Sequence, residues 1–269
     1  MKGVIIMKKI LSILVCLSLI MSLSACGGST TATNQTEAAN NATETTAVSS
    51  VNTLVVGTSA NFPPYEYIEG NTVVGIDAEI VSEVAKDIGV KVKWEDMKFD
   101  SLISALSANK VDLVVAGMTV TEDRQEFVDF SETYATAVQS VIVKVGSGIT
   151  DIDHLEGKLI GVQLGTTGDI YASDDYGADH VKGYAAGADA VLSLINGQID
   201  AVIIDDEVAK NLANAYPGQL TLLDTAYAEE EYAMAVKKGN TKLLNQVNAS
   251  IEKLKQNGTL KRIVDKYIK

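Results

Sequence analysis

The sequence predicts an α/β protein with largely parallel sheets. Short, wholly apolar runs such as Leu54-Val55-Val56 and Leu113-Val114-Val115-Ala116 alternate along the chain with stretches whose apolar positions repeat at helical spacing. That alternation continues to the C-terminus, the pattern of βαβ units rather than of an all-α or all-β chain. No period of 20–50 residues repeats, which excludes a solenoid.

The elements follow in order. Leu54 to Gly57 reads as a buried strand. Asp77 to Ile88 sets Ile80, Val81, Val84, Ala85 and Ile88 on one helical face and ends at Gly89, a helix-stop signal. Val90 to Trp94 alternates like a strand, and Ser101 to Leu106 shows Leu102, Ile103 and Leu106 at helical spacing. Leu113 to Ala116, Val138 to Val145, Leu159 to Val162 and Ala201 to Ile204 read as strands. Helices are expected over Ala188 to Ile195 and Glu207 to Ala215, with a final pair over Thr241 to Gln256 and Thr259 to Tyr267, split by Asn257-Gly258.

Ahead of this body lies a different kind of sequence. Lys8 and Lys9 precede the apolar run Ile10 to Leu23, interrupted only by Ser12, Ser18 and Ser22. A basic start and a short apolar run, below the ~20 residues a spanning helix needs, read as a signal peptide over residues 1–25. Met1 and Met7 are both compatible starts. The run ends in Leu23-Ser24-Ala25-Cys26-Gly27, which resembles a bacterial lipobox, with Cys26 as the lipidated first mature residue. Of the 24 residues from Gly27 to Ser50, 10 are Ser or Thr, with no aromatic residue. Residues 26–51 therefore read as a flexible tether, which cannot bury enough apolar surface to fold.

Composition narrows the function. The chain of 269 residues carries 35 Asp+Glu against 22 Lys+Arg, a net charge of −13. The first 25 residues hold Lys2, Lys8 and Lys9 and no acid, so the rest stands three units lower, at −16. That argues against nucleic acid, whose binding rests on neutralising phosphates. The two cysteines are Cys16 and Cys26, so the body has no disulfide and no thiol nucleophile. With only His154 and His180, neither a histidine-based metal site nor a conventional catalytic triad is expected, and no cofactor is implied.

Ligand chemistry is expected where strands end, since α/β folds bind at strand carboxyl ends. Three segments stand out. In Ala116-Gly117-Met118-Thr119-Val120-Thr121-Glu122-Asp123-Arg124, Thr121 suits an N-cap and Glu122 and Asp123 suit a first turn. Arg124 opposes the helix dipole there unless an anion lies nearby; a guanidinium with free N–H groups suits a carboxylate. The plain alternative is a surface Arg paired with Asp123 or Glu126. Gln163-Leu164-Gly165-Thr166-Thr167-Gly168 is a glycine turn lacking either nucleotide-binding glycine pattern. Asp200 to Glu207 brings Asp205 and Asp206 out of an apolar strand, either as ligand groups or as helix caps. One cationic and one anionic strand end together suit a zwitterion.

From Leu54 to Lys269 the chain resembles the extracellular amino-acid-binding proteins of ABC importers. The motifs are Phe62-Pro63-Pro64-Tyr65-Glu66, Val74-Gly75-Ile76-Asp77, Gly117-Met118-Thr119 through Arg124, Val128-Asp129-Phe130-Ser131, Gly165-Thr166-Thr167, Asp200 to Asp205, and Asn257-Gly258-Thr259. The resemblance implies the type II periplasmic-binding-protein fold: two lobes, each a mostly parallel sheet flanked by helices, joined by two hinge crossings. Lobe 1 is expected to hold residues 52–134 and 233–269, and lobe 2 residues 135–232. It further implies that Arg124 grips the ligand α-carboxylate with backbone groups around Gly117, Met118 and Thr119. Asp205 takes the α-ammonium, with Asp206 as a register competitor, and Thr166 and Thr167 contribute from lobe 2.

The same resemblance sets Phe62 and Phe99 around the ligand side chain and Glu66 and Gln163 at its far end. Two aromatic faces and a carboxylate suit a guanidinium or ammonium, and the Gln163 to Thr167 stretch resembles the arginine-binding branch. Ser59 departs from relatives that carry an acid there, which keeps glutamine open. The implied role is capture of a free L-amino acid, arginine or another basic one, by a monomer. This binding component would be lipid-anchored at the outer face of the cell membrane and would deliver to a permease and its ATPase. Two readings on the same fold compete: a dehydratase using Glu66 as acid or base, and a sensory binding protein.

Overall fold

A computed structural model describes residues 52–268. The expected signal peptide, Cys26 and the expected tether lie outside the described residues. The chain begins with β1 (Thr53–Thr58), a meander of β2 (Asn61–Phe62), β3 (Glu66–Glu69) and β4 (Thr72–Val74), and helix α1 (Ile76–Ile88). Next come β5 (Lys91–Asp96), α2 (Leu102–Ser107), β6 (Leu113–Val114), α3 (Glu122–Gln125) and a 17-residue strand, β7 (Val128–Lys144). The second half holds β8 (Ile160–Gln163), α4 (Thr167–Tyr176), β9 (Val181–Tyr184), α5 (Gly187–Ile195), β10 (Ala201–Asp205), α6 (Asp206–Asn214) and β11 (Leu220–Leu222). The long β12 (Ala228–Lys237), α7 (Thr241–Gln256) and α8 (Thr259–Tyr267) close the chain.

The strand order β5-β1-β6-β12-β7-β10-β8-β9 joins both lobes in one ladder, with β11 also on β7. At one end β1 pairs in parallel with β5 and β6; at the other β8 pairs in parallel with β9 and β10. Every contact made by β7 or β12 is antiparallel. Each lobe is thus a parallel sheet of the expected kind, and the two meet through a shared antiparallel pair. The β7–β12 register slips between Tyr232 and Ala233 and again between Ala233 and Ala235. Such slips kink and twist a strand locally.

Local sequence explains the parts that frame the cleft. Helix α1 buries Ile80, Val81 and Val84 completely, at about 1.5–3 kcal/mol each. It stops at Gly89, in the left-handed conformation, whose N–H donates to the Ala85 carbonyl. Its start is pinned to the Phe62–Glu66 turn: Ile76 N–H donates to Pro64 O at 3.1 Å and Asp77 N–H to Tyr65 O at 2.9 Å. Gly75 makes this approach possible. A Cβ there would sit 2.2 Å from the Tyr65 carbonyl oxygen, and its φ is +120°. Asp77 is thereby carried, fully buried, up to the Phe62–Glu66 turn.

Candidate functional site

A cleft opens between the lobes. Its walls combine Phe62, Glu66, Phe99, Gly117, Thr119 and Arg124 from the first lobe with Gln163, Thr166, Thr167 and Asp205 from the second. All but one of the residues expected from the sequence therefore meet at a single place. The exception is Met118. Its side chain is fully buried in a core cluster with Leu102, Leu106 and Val128. Gly117 causes this: with φ at +50° it turns the chain, and Met118 O then accepts the Ala233 N–H at 3.1 Å.

Gly117 itself needs a correction. Its N–H, expected to grip a carboxylate, donates to Asp77 Oδ2 at 2.9 Å, because a buried carboxylate must find a donor. Gly117 is left with its carbonyl, an acceptor suited to an ammonium. Thr119 differs. It pairs with Tyr232 in an antiparallel bridge flanked by the Val120 N–H to Glu231 O and Ala233 N–H to Met118 O bonds. In that arrangement Thr119 turns its own N–H and C=O away from β12. The C=O accepts from Arg124 Nη1 at 2.8 Å.

Arg124 is buried at 7% exposure, which disposes of the surface ion-pair alternative. Thr121 caps α3 as expected, its hydroxyl accepting the Arg124 N–H at 3.2 Å. The guanidinium lies 5.3 Å over the Phe99 ring, so one face of Phe99 is already covered by a cation. Nη2 reaches across to Gly165 O of the second lobe at 3.1 Å. The glycine turn closes the same gap: a Cβ on Gly165 would stand 3.1 Å from Asp100 Cβ of the first lobe.

On the far wall Asp205 ends β10 opposite Gln139 of β7. It stands at the N-cap of α6 but makes no capping bond. Oδ2 accepts from Gln139 Nε2 at 2.9 Å, while Oδ1 is buried without a partner. Asp206 instead pairs with Lys210 at 2.8 Å on the surface and does not line the cleft. Thr166 caps α4, its hydroxyl donating to Gln163 O at 2.8 Å. Both Glu66 oxygens and the Gln163 Oε1 are likewise buried and unpartnered.

Burial is the main cause that pushes the Glu66 and Asp205 carboxyls well above the ordinary carboxylate range. Nearby Asp77 adds to the effect at Glu66. Two lining acids therefore face one guanidinium, an imbalance that a cationic group would relieve.

Three lining residues were absent from the expected set: Gln139, Ala116 and Ile204. Gln139 was detectable, with Ser140, as a polar interruption in the apolar run Ala137 to Val143. Ser59, read from the sequence only as a departure, also lines the cleft. Glu230 lies behind it, accepting from Thr119 Oγ1 at 2.8 Å and Gln139 Nε2 at 3.1 Å.

The architecture and cleft are those of a protein that closes on a small solute. The profile of the bacterial extracellular solute-binding proteins, family 3, matches residues 54–269, and the chain belongs to that family. The arginine-binding extracellular protein ArtP of Bacillus subtilis is 34% identical over 265 residues, 97% of this chain and 98% of its own. Among solved structures, the arginine-, lysine-, histidine-binding protein ArtJ from Geobacillus stearothermophilus shares 33% identity at a TM-score of 0.77, over 80% of this chain and 95% of that one. An ancestral arginine-binding protein bound to glutamine shares 37% identity at 0.76, over 80% and 97%. The family comprises solute-binding proteins, not enzymes, which sets the dehydratase reading aside.

Proposed function

We propose that the chain is the substrate-capturing component of an ABC amino-acid importer, and that it takes a free L-amino acid with a cationic side chain, arginine first. One observation carries this reading. The cleft opposes two buried carboxyls with free oxygens, Glu66 and Asp205, to a single guanidinium, Arg124. A zwitterion balances Arg124 and Asp205, and a second positive charge answers Glu66. Relatives named for arginine binding support the assignment.

In this reading Arg124 and the Thr119 N–H hold the α-carboxylate, Asp205 and the Gly117 carbonyl the ammonium, and Thr166 and Thr167 complete the second-lobe wall. Phe62 and the open face of Phe99 stack on the side chain, whose end meets Glu66 and Gln163. Closure swings residues 135–232 against residues 52–134 and 233–269, with the register slips at Tyr232–Ala235 supporting a hinge there. The mature chain is a monomer held by lipid on Cys26 at the outer face of the membrane, where it meets a permease and its ATPase.

Glutamine is the second reading, favoured by the neutral Ser59, by the amide of Gln163 and by the glutamine-bound ancestral relative. A thermal-shift screen of the twenty amino acids tests both. Arginine should give the largest rise in melting temperature; a screen in which no amino acid raises it contradicts the assignment.

A further inference from the structure

The cleft's cation-facing carboxyl does not stand alone. Glu66 and Asp77 are both buried, at 1% and 0% exposure, and the Asp77 N–H bond to Tyr65 O at 2.9 Å fixes Asp77 next to the start of the strand that carries Glu66, where the two carboxyls interact. Only Asp77 Oδ2 has a bond of normal geometry, to the Gly117 N–H. Asp77 Oδ1, both Glu66 oxygens and the Tyr134 hydroxyl lack one. The other groups facing the pair are Asp96 of β5, Asp205 of β10 and the phenol of Tyr65. The meander, α1 and β6 converge here, and Gly75 makes the approach of α1 possible.

Resting on the amino-acid reading above, we propose that Asp77 is a positioning residue for cation selectivity: it holds one proton in common with Glu66, so that the end of the cleft presents a single, jointly held negative charge. Two adjacent carboxylates in a buried site cannot both ionise cheaply, and their protons belong to the pair rather than to either residue. With one proton between them, Asp77 keeps the Gly117 N–H while Glu66 faces the ligand. A second proton removes the charge. Burial raises Asp77 to about 6, against the pull of the Gly117 N–H. The site therefore loses its charge as the pH falls through about 6, and a cationic side chain loses its counter-charge with it. A neutral side chain does not.

The test is the ratio of arginine to glutamine affinity, measured by calorimetry at pH 7.5 and pH 5. Taking the ratio cancels Asp205, which serves both ligands alike. The ratio should fall about tenfold, one decade for one pH unit below the midpoint. In Asp77→Asn, which preserves an acceptor for the Gly117 N–H, the midpoint near 6 should disappear. Carbon-13 NMR of the two carboxyl carbons in the unaltered protein gives a second, mutation-free readout: both should move through the same steps. A flat ratio, a midpoint retained in Asp77→Asn, or Glu66 titrating without any response from Asp77 would each overturn the proposal. If neither amino acid binds at pH 7.5, the amino-acid reading itself has failed and the proposal falls with it.

Discussion

Arg124, the proposed grip on the ligand carboxylate, shows how little of such a role lies in a residue's own identity. It is held by Thr121 through the cap, by the Thr119 carbonyl at Nη1 and by the Phe99 ring beneath. Asp205 is its counterpart, with one oxygen fixed by Gln139 and the other free. Removing one partner of a buried charge pair costs about 3–5 kcal/mol because the other charge is stranded. Arg124→Ala and Asp205→Ala should therefore each weaken amino-acid binding by about a hundredfold or more. Asp206→Asn should change it by about twofold or less, since that carboxylate only pairs with Lys210 on the surface. Calorimetry on the three variants checks this, and near-native affinity in Arg124→Ala or Asp205→Ala would remove that residue from the site. At this scale the sequence was informative for side chains with a charge to place, because a charge beside an apolar strand end needs a reason. It misdirected at Gly117, expected to offer its N–H to the ligand carboxylate, because that amide is committed to a residue 40 positions away.

The elements with regular apolar patterns were legible almost to the residue. Helix α1 was expected from Asp77 to Ile88 and spans Ile76–Ile88. What escaped reading was the pair that joins the lobes. Only Val138 to Val145 of β7 was expected, because Asp129, Ser131, Glu132 and Thr133 dilute its first half. Strand β12 carries Glu229-Glu230-Glu231 directly after its first residue, and these individually disfavour strands. Both are set by their pairing with each other, which no local pattern encodes. The meander of β2, β3 and β4 and the short β9 and β11 were missed for lack of length.

The turn between β8 and α4 offers a prediction at the scale of an element. Gly165 has φ at +78° and faces Asp100 of the other lobe. Gly165→Ala adds a methyl group where the lobes meet and strains the turn, so closure should suffer more than folding. Affinity should fall about tenfold or more, through a cost of about 1–3 kcal/mol. Ligand-induced compaction in X-ray scattering should shrink, while the ligand-free melting temperature falls only by the few degrees that the strained turn costs. Undiminished compaction would show that Gly165 is not at the closing face.

At the scale of the whole molecule, the cleft's acids set the pH response. Glu66 and Asp205 are raised by burial, and Asp77 to about 6. A carboxyl raised in the folded state keeps a proton that the unfolded chain has already released. Its stabilisation is full below the ordinary carboxylate range and is lost as pH climbs through the folded value. The ligand-free protein should therefore melt several degrees higher at pH 5 than at pH 7.5. Asp87 and Asp129 have the opposite sign. They are lowered by bonds from Lys253 and from the Gly239 N–H, and their contribution is lost only under more acidic conditions. A melting temperature that rises steadily from pH 5 to 7.5 would mean that the cleft acids are ionised when empty.

The other whole-molecule prediction concerns the region before Asn52. Mass spectrometry of the native protein should find a lipid-modified N-terminus at Cys26, and Cys26→Ala should release the protein from membranes or leave it unprocessed. An unmodified start at another residue would contradict the anchor.

The central claim is that the cleft selects a cationic amino acid, and competition calorimetry with arginine, lysine, histidine and glutamine tests it most directly. Stacking on a desolvated aromatic face is worth up to about 2 kcal/mol, and a charge-assisted hydrogen bond to Glu66 about 1.5–3 more, so arginine should exceed glutamine by about a hundredfold at pH 7.5. Glu66→Gln should remove most of that margin. Tightest binding by glutamine or a small neutral amino acid, or an arginine affinity untouched by Glu66→Gln, would contradict it.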